Sequence, residues 1–213
     1  MVKRNLATRI LKRAERARVA LEIDTAEKLA AYVEMLQRWN VRINLTALAD
    51  NDEGLDRLVV EPARAARHLP ETGALIDIGS GGGSPAVPLK IIRPGLSLRM
   101  VESKTRKGAF LREAARDLNL ANVEVDVCRY EELLARPELH EKHDVLTVRA
   151  VRIERNALKS LQAFVRPGGV LGLLRGRGVI DALEDVQPPL VWEATYPLVE
   201  AIRSQLVVVR KLK

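Results

Sequence analysis

The sequence predicts an α/β fold, a doubly wound and mostly parallel sheet preceded by a helical extension. Three observations carry that expectation. From residue 74 onward, short β-branched runs alternate with segments of helical periodicity, the pattern of parallel strands joined by crossover helices. Leu75-Ile76-Asp77-Ile78 runs directly into Gly79-Ser80-Gly81-Gly82-Gly83-Ser84-Pro85 and then into Ala86 to Ile92, which reads as strand, glycine turn and helix. Residues 1–70, by contrast, show helical spacing alone.

Taken in order, Leu6, Ile10, Leu11 and Ala14 recur as one face of an amphipathic helix. Asp24-Thr25-Ala26-Glu27 resembles a capping box opening a second helix, and Leu29, Tyr32, Val33, Leu36, Trp39 and Ile43 form its apolar stripe. Trp39 belongs to that stripe and is expected in the core. Asn44-Leu45-Thr46 ends the helix, and a further one is expected from Gly54 to His68. His68 has no metal-ligating partners at useful spacing and reads as a packing residue. The expected division is a helical extension, 1–70, and a sheet domain, 71–213, joined as one compact unit.

In the second part, strands are expected at Ala74–Ile78, Leu96–Val101, Val123–Val127, His143–Ala150 and Val170–Leu174. Helices are expected from Lys104 to Leu118, carrying Phe110, Leu111 and Ala114, and from Ile153 to Val165, stopped by Pro167-Gly168-Gly169. Glu193–Val199 and Ser204–Val209 suit a terminal antiparallel pair.

Composition narrows the class. With 213 residues, 47% of them hydrophobic and 30% charged, the chain can bury one sizeable core and is not of the disordered type. No apolar run approaches the ~18 residues needed to cross a bilayer, and no signal-peptide pattern is present. Cys128 is the single cysteine, which excludes an internal disulfide and a cysteine-rich metal site. No metal site and a cytoplasmic location are the expectations. The net charge of +7 is concentrated at the start of the chain. Lys3, Arg4, Arg9, Lys12, Arg13, Arg16 and Arg18 face only Glu15 in the first twenty residues. Such an arm suits a polyanion, most often nucleic acid, and it lacks the Trp and Phe of a membrane-surface helix.

The glycine turn is the candidate ligand site. Gly79, Gly81 and Gly83 have no Cβ, so ligand atoms can approach the backbone. Glu102 follows the next strand about 20 positions later, where an acid binds a ribose diol. The turn departs from G-x-G-x-x-G, a variant that suits a nucleoside ligand without phosphates and points to S-adenosylmethionine. Cys128, Tyr130 and Glu131, and then Arg149, are expected at the same C-terminal sheet edge.

These residues together resemble the RsmG (GidB) family, the 16S ribosomal RNA guanine-N7 methyltransferases. Tyr32 to Asn40 with Ile43-Asn44-Leu45-Thr46 resembles its N-terminal signature, and Asp77 to Pro85 with Pro88-Leu89 its cofactor loop. Glu102-Ser103, Lys107, Phe110-Leu111-Arg112, Arg149-Ala150 and Gln205 to Val209 extend the similarity over nearly the whole chain. Ser84 stands where the family usually has a larger apolar residue, Ala86 where it has glycine, and Arg175 where it commonly has lysine. The resemblance implies a Rossmann-like, seven-strand S-adenosylmethionine-dependent methyltransferase fold with an N-terminal cap that helps hold RNA. It implies cofactor contacts at Gly79, Ser84, Tyr130, Glu131 and Arg149. The implied substrate is a guanine in the decoding-region loop of 16S rRNA within the 30S subunit. Nothing in the sequence suggests an obligate dimer, and a monomer is expected.

Guanine N7 carries a free lone pair, so positioning residues suffice and no general base is expected. Arg149 and Arg175 are the candidate catalytic residues in that positioning sense, and Arg177 a candidate RNA contact. Replacing Arg149 with alanine is expected to cost activity more than folding. Lys104, Arg106 and Lys107 would extend the RNA track that begins with Lys3, Arg4, Arg9, Lys12, Arg13 and Arg16. Two rival readings stay open. One is a same-fold methyltransferase with another RNA, a protein or a small molecule as substrate; the other is a cofactor- or ribosome-binding factor without turnover.

Overall fold

The computed structural model describes residues 2–47, 51–149, 155–176 and 186–213. Helices α1 (Val2–Arg16) and α2 (Ile23–Ile43) pack on each other. A helical run follows in four pieces: α3 (Asp52–Leu55), a π turn (Asp56–Val60), α4 (Glu61–Ala65) and a 3₁₀ turn (Ala66–His68). The single helix expected over this stretch is therefore present with one irregularity. Pro62 supplies no N–H, and the N–H of Glu61 reaches back five residues to the Asp56 carbonyl.

The sheet has seven strands: β1 (Gly73–Ile78), β2 (Leu96–Val101), β3 (Val123–Asp126), β4 (His143–Arg149), β5 (Val165–Gly176), β6 (Leu190–Pro197) and β7 (Ser204–Lys211). Their order is β3-β2-β1-β4-β5-β7-β6; the first five are parallel, and β7 runs antiparallel to both β5 and β6. The helices α5 (Ala86–Ile92), α6 (Thr105–Asp117), α7 (Tyr130–Leu133) and α8 (Arg155–Leu161) lie in the connections between the parallel strands. Strand order reverses between β1 and β4, and Ile78 pairs with Val148 there. That reversal opens a crevice at the C-terminal sheet edge.

The helical cap and the sheet share a core. Ile10, Tyr32 and Leu36 from the cap belong to one apolar cluster with Leu75, Leu89 and Phe110. Each such side chain contributes on the order of 1.5–3 kcal/mol by leaving water. Trp39 is half-buried in an edge-to-face contact with Phe110 at 5.8 Å, and its indole donates to Glu113 at 3.1 Å. His68 stacks on Tyr196 with ring centroids 3.8 Å apart, a packing role.

Three expectations are corrected. No capping box opens α2: the helix begins at Ile23, Glu22 is the extended N-cap residue, and Asp24 lies in the first turn, where its charge suits the helix dipole. The helix expected to reach Val165 ends with α8 and the 3₁₀ turn Gln162–Phe164, because Val165 already pairs with His143. The register then shifts, so that Pro167 and Gly168 are absorbed as an irregularity in a long β5. The terminal pair is also longer than expected, since β6 starts at Leu190.

Tyr32 joins the cap to the glycine turn. It is fully buried, and its hydroxyl donates to the Gly82 carbonyl at 2.7 Å. Tyr32→Phe strands that carbonyl, so the denaturation midpoint should fall by the equivalent of about 1–2 kcal/mol. An unchanged midpoint would show that the turn is held without it.

A candidate cofactor and substrate site at the sheet edge

The turn after β1 leaves space at its start. Gly79, Gly81 and Gly83 have φ of 73°, 52° and 90°, values that disfavour a side chain. Gly79 and Gly81 line the cavity beside the π turn, but Gly83, expected as a cofactor contact, packs against Val87, Leu111 and Tyr32 and lies outside its wall. The N–H groups of Gly79 and Ser80 both donate to the Val101 carbonyl, at 2.8 and 3.0 Å. Glu102, buried at the end of β2, accepts from Gly81 N–H at 2.9 Å and from Lys104 N–H at 2.8 Å, one oxygen each. Each oxygen keeps a lone pair for a further donor such as a ribose hydroxyl.

Two cavities meet at Gly79. The first, about 430 Å³, is walled by Ile78, Glu102, Cys128, Tyr130 and Glu131 among others. Burial, reinforced by Asp126 and Glu132, pushes the Cys128 thiol up, which keeps it a wall residue and not a nucleophile. The second, about 460 Å³, lies beside the π turn and takes in Arg57, Ser84, Arg149 and Arg175. Both volumes lie in the range of small-molecule sites. No carboxylate and no imidazole lines the second cavity among the described residues.

Arg149 ends β4 and is largely buried, its side chain 14% exposed; burial lowers its basicity and the neighbouring Glu61 raises it. Its Nη1 lies 2.8 Å from Glu61 Oε2 and donates to the Arg57 carbonyl at 2.5 Å, while Nε and Nη2 have no hydrogen-bond partner among the described residues. Glu61 is itself only 1% exposed. An arginine with two unused donors in a cavity wall is equipped for an acceptor that enters the cavity. Arg175 is half-buried in the same wall, and burial lowers its pKa. Ser84, expected at the cofactor, turns its hydroxyl to the Leu58 carbonyl at 2.8 Å and so ties the glycine turn to the π turn.

Asp77 sits beneath the turn, fully buried, and accepts from Thr147 Oγ1 at 2.6 Å. Burial raises its carboxyl to about 6, against the opposing effect of Thr147, Ser80 and Arg149. The folded chain therefore holds this proton more tightly than the unfolded chain. Its stabilising contribution is complete below about pH 4 and is lost as pH rises through about 6. Relative to Asp77→Asn, the parent should lose on the order of 3 kcal/mol across that window. A carboxyl carbon signal titrating near 6, absent from Asp77→Asn, is the accompanying check by NMR.

The basic residues fall into groups. Arg9 contacts Asp52 at 2.8 Å, and Arg13 contacts Asp52 at 2.8 Å and Asp56, so both fasten α1 to the helical run behind the π turn. The same bonds hold the Arg13 guanidinium above its usual pKa. Lys12 and Arg16 are exposed on α1. Lys104, Arg106 and Lys107 stand at the start of α6, next to Glu102. The side chains of Lys3 and Arg4, and Ala150 and Arg177 altogether, lie outside the described residues. Among the described residues no cluster suited to a metal ion occurs, and no helix is long and apolar enough to cross a membrane.

Sequence reasoning missed Glu61, Arg57 and Tyr32 as parts of the site. A glutamate within an apolar run, Val59-Val60-Glu61-Pro62, is the one local signal that Glu61 carried.

A parallel sheet with its crevice at β1/β4, a glycine turn over it and an acid ending β2 define the S-adenosylmethionine-dependent methyltransferase class. Solved structures agree on the fold. A SAM dependent methyltransferase from Aquifex aeolicus is similar with a TM-score of 0.55 at 14% identity, over 74% of this chain and 93% of that one. A variant of MtNAS crystallised with S-adenosylmethionine is similar with a TM-score of 0.59 at 12% identity, over 96% and 88%. The chain belongs to the rRNA small subunit methyltransferase G (GidB) family, which residues 25–195 match. The ribosomal RNA small subunit methyltransferase G of Xanthomonas axonopodis pv. citri is 36% identical over 197 residues, 90% of each chain. That of Stenotrophomonas maltophilia (strain K279a) is 36% identical over 177 residues, 83% of this chain and 80% of the relative.

Proposed function

We propose that the protein transfers a methyl group from S-adenosylmethionine to N7 of one guanine in the decoding-region loop of 16S rRNA, acting as a monomer on the 30S subunit. The observation that carries this reading is the second cavity, polar and cationic yet, among the described residues, without an acid or an imidazole in its wall. Methylation of an exocyclic amine or of a hydroxyl releases a proton in the transfer, whereas N7 presents its lone pair directly. The cavity's chemistry matches the second case.

The residues present suit the cofactor. A Cβ built on Gly79 would meet no protein atom within 4 Å, so the turn leaves open space where the two cavities join. Glu102 would hold the ribose hydroxyls, and Tyr130 and Glu131 would flank the adenine. Bound there, the sulfonium supplies an electrophilic methyl for in-line displacement. Arg149 and Arg175 would donate to the guanine O6 or to phosphate, leaving N7 free to attack. The helical cap, 1–70, and the start of α6 would supply the RNA-contacting face, with Lys12, Arg16, Lys104, Arg106 and Lys107 on it.

The test uses 30S subunits from cells lacking the modification, methyl-labelled S-adenosylmethionine and mapping by N7-selective chain cleavage. Label at a single decoding-region guanine is expected. Cofactor binding without label on any ribosomal RNA would overturn the substrate, and label at a position insensitive to the cleavage would overturn N7.

A further inference from the structure

A recess of about 630 Å³ lies against the start of the π turn, with Asp56 in its wall. The end of α1 contributes Arg13 and Arg16, the turn after it Arg18, the π turn Asp56, α4 Arg64, and the end of β6 with the connection to β7 closes the wall through residues 197–201. The charges do not cancel. Arg13 and Asp56 neutralise one another, and Arg13 also contacts Asp52. Arg16, Arg18 and Arg64 are left without a carboxylate partner among the described residues, and the remaining acid in the wall is Glu200. Arg64 also carries a buried Nε with no hydrogen-bond partner among the described residues. Three guanidinium groups around a recess with a single opposing acid present many donors and almost no acceptors, the chemistry of a site for a phosphodiester.

The recess is a fixed part of the fold. The Arg67 guanidinium donates to the Arg18 carbonyl at 3.1 Å, and Val19 N–H returns to the Ala14 carbonyl at 2.9 Å, so the end of α1 is tied down beside α4. It is also placed next to the chemistry. Asp56 lines the recess, while Arg57 and Leu58, the next residues of the same turn, line the second cavity. Residues 197–201 lead into Ser204, which pairs with Gly176, another residue of that cavity's wall. A strand whose base entered the second cavity would pass the π turn and bring its backbone to the recess.

We propose that this recess binds a backbone phosphate of the substrate RNA close to the target nucleotide, an inference that rests on the RNA-methylating reading above. Its role is affinity and register, since phosphate contacts position without reading sequence. Neutralising a phosphate releases counterions, so each contact adds to the salt dependence of binding.

The experiment measures binding of unmethylated 30S subunits by the full-length parent and by Arg16→Gln/Arg18→Gln/Arg64→Gln, between about 50 and 200 mM salt, the range over which such contacts change affinity most visibly. A control, Lys142→Gln/Lys159→Gln/Lys213→Gln, removes equal charge from other surfaces. The recess variant is expected to bind at least about tenfold more weakly, with a salt slope shallower by about 1, while the control keeps the parent's slope. Calorimetric affinity for S-adenosylmethionine should agree among all three. A recess variant with the parent's affinity and slope, or a control that loses as much, overturns the site. If the triple variant fails to fold, Arg16→Glu/Arg18→Glu, confined to the exposed end of α1 and the turn after it, gives the same readout. A parent that binds 30S subunits without methylating them would overturn the proposed reaction yet leave the slope comparison to judge the recess alone.

Discussion

Replacing Arg149 with methionine is expected to remove methyl transfer and, at the same time, to lower the unfolding free energy by roughly 3–5 kcal/mol. The second effect comes from Glu61. Its carboxylate is 1% exposed and has the Arg149 guanidinium 2.8 Å away; Arg57, at 3.9 Å, is too distant to replace it. Without Arg149 a buried anion stands unpaired, and water cannot reach it. The sequence-based expectation weighed activity above folding for this arginine; a buried carboxylate 88 positions earlier gives folding a share as well. Stability and catalysis can be separated in Arg149→Met/Glu61→Gln. Removing both charges should return most of the stability in urea denaturation. Single-turnover transfer should remain down by about 10²-fold or more, since the donors facing the cavity are still missing. A double variant that regains transfer along with stability would show that Arg149 serves only as the counter-ion of Glu61.

What the sequence revealed and what it hid divide along a physical line. The strand, glycine turn and acid at the β1–β2 unit are local patterns: Gly79 and Glu102 share a cavity wall and Gly81 N–H donates to Glu102, whereas Gly83, expected beside the ligand, faces Val87, Leu111 and Tyr32 instead. The alternation of elements likewise announced the parallel sheet, because burial on both faces forces continuous apolar runs. Pairings across long stretches of chain stayed hidden. The basic arm reads as free charge in sequence, yet Arg9 and Arg13 meet Asp52 and Asp56 about forty positions away. Ser84 is expected at the cofactor, yet its hydroxyl finds the Leu58 carbonyl across 26 positions. Val165 to Gly169 looked like a helix stop because Pro and Gly punctuate local structure; a register shift against β4 made them part of a strand. Tertiary partners decided each of these, and no window of sequence contains them.

Alanine at two glycines of the same turn is expected to give opposite outcomes. Both positions have positive φ, 73° at Gly79 and 90° at Gly83, so each substitution costs about 1–2 kcal/mol of backbone strain. Their surroundings differ. At Gly83 the new Cβ would fall 2.9 Å from Val87 Cγ2 and 3.3 Å from Leu111 Cδ2, inside the packed seam between the cap and α6. Overpacking there adds about 1–3 kcal/mol, so Gly83→Ala should melt well below the parent. At Gly79 the Cβ meets no protein atom within 4 Å, and that open space is where the two cavities join. Gly79→Ala should therefore melt close to the parent once the backbone strain is counted. Its methyl would occupy ligand space, weakening S-adenosylmethionine about 10–100-fold in calorimetry, the equivalent of 1–3 kcal/mol of steric conflict. The two measurements are independent, since melting without ligand reports the loop's packing and calorimetry reports what lies over it. Parental cofactor affinity in Gly79→Ala would mean that the ligand does not pass over this glycine, and the assignment of both cavities would fall with it. Loss of affinity with retained fold would place the cofactor at the junction of the two cavities.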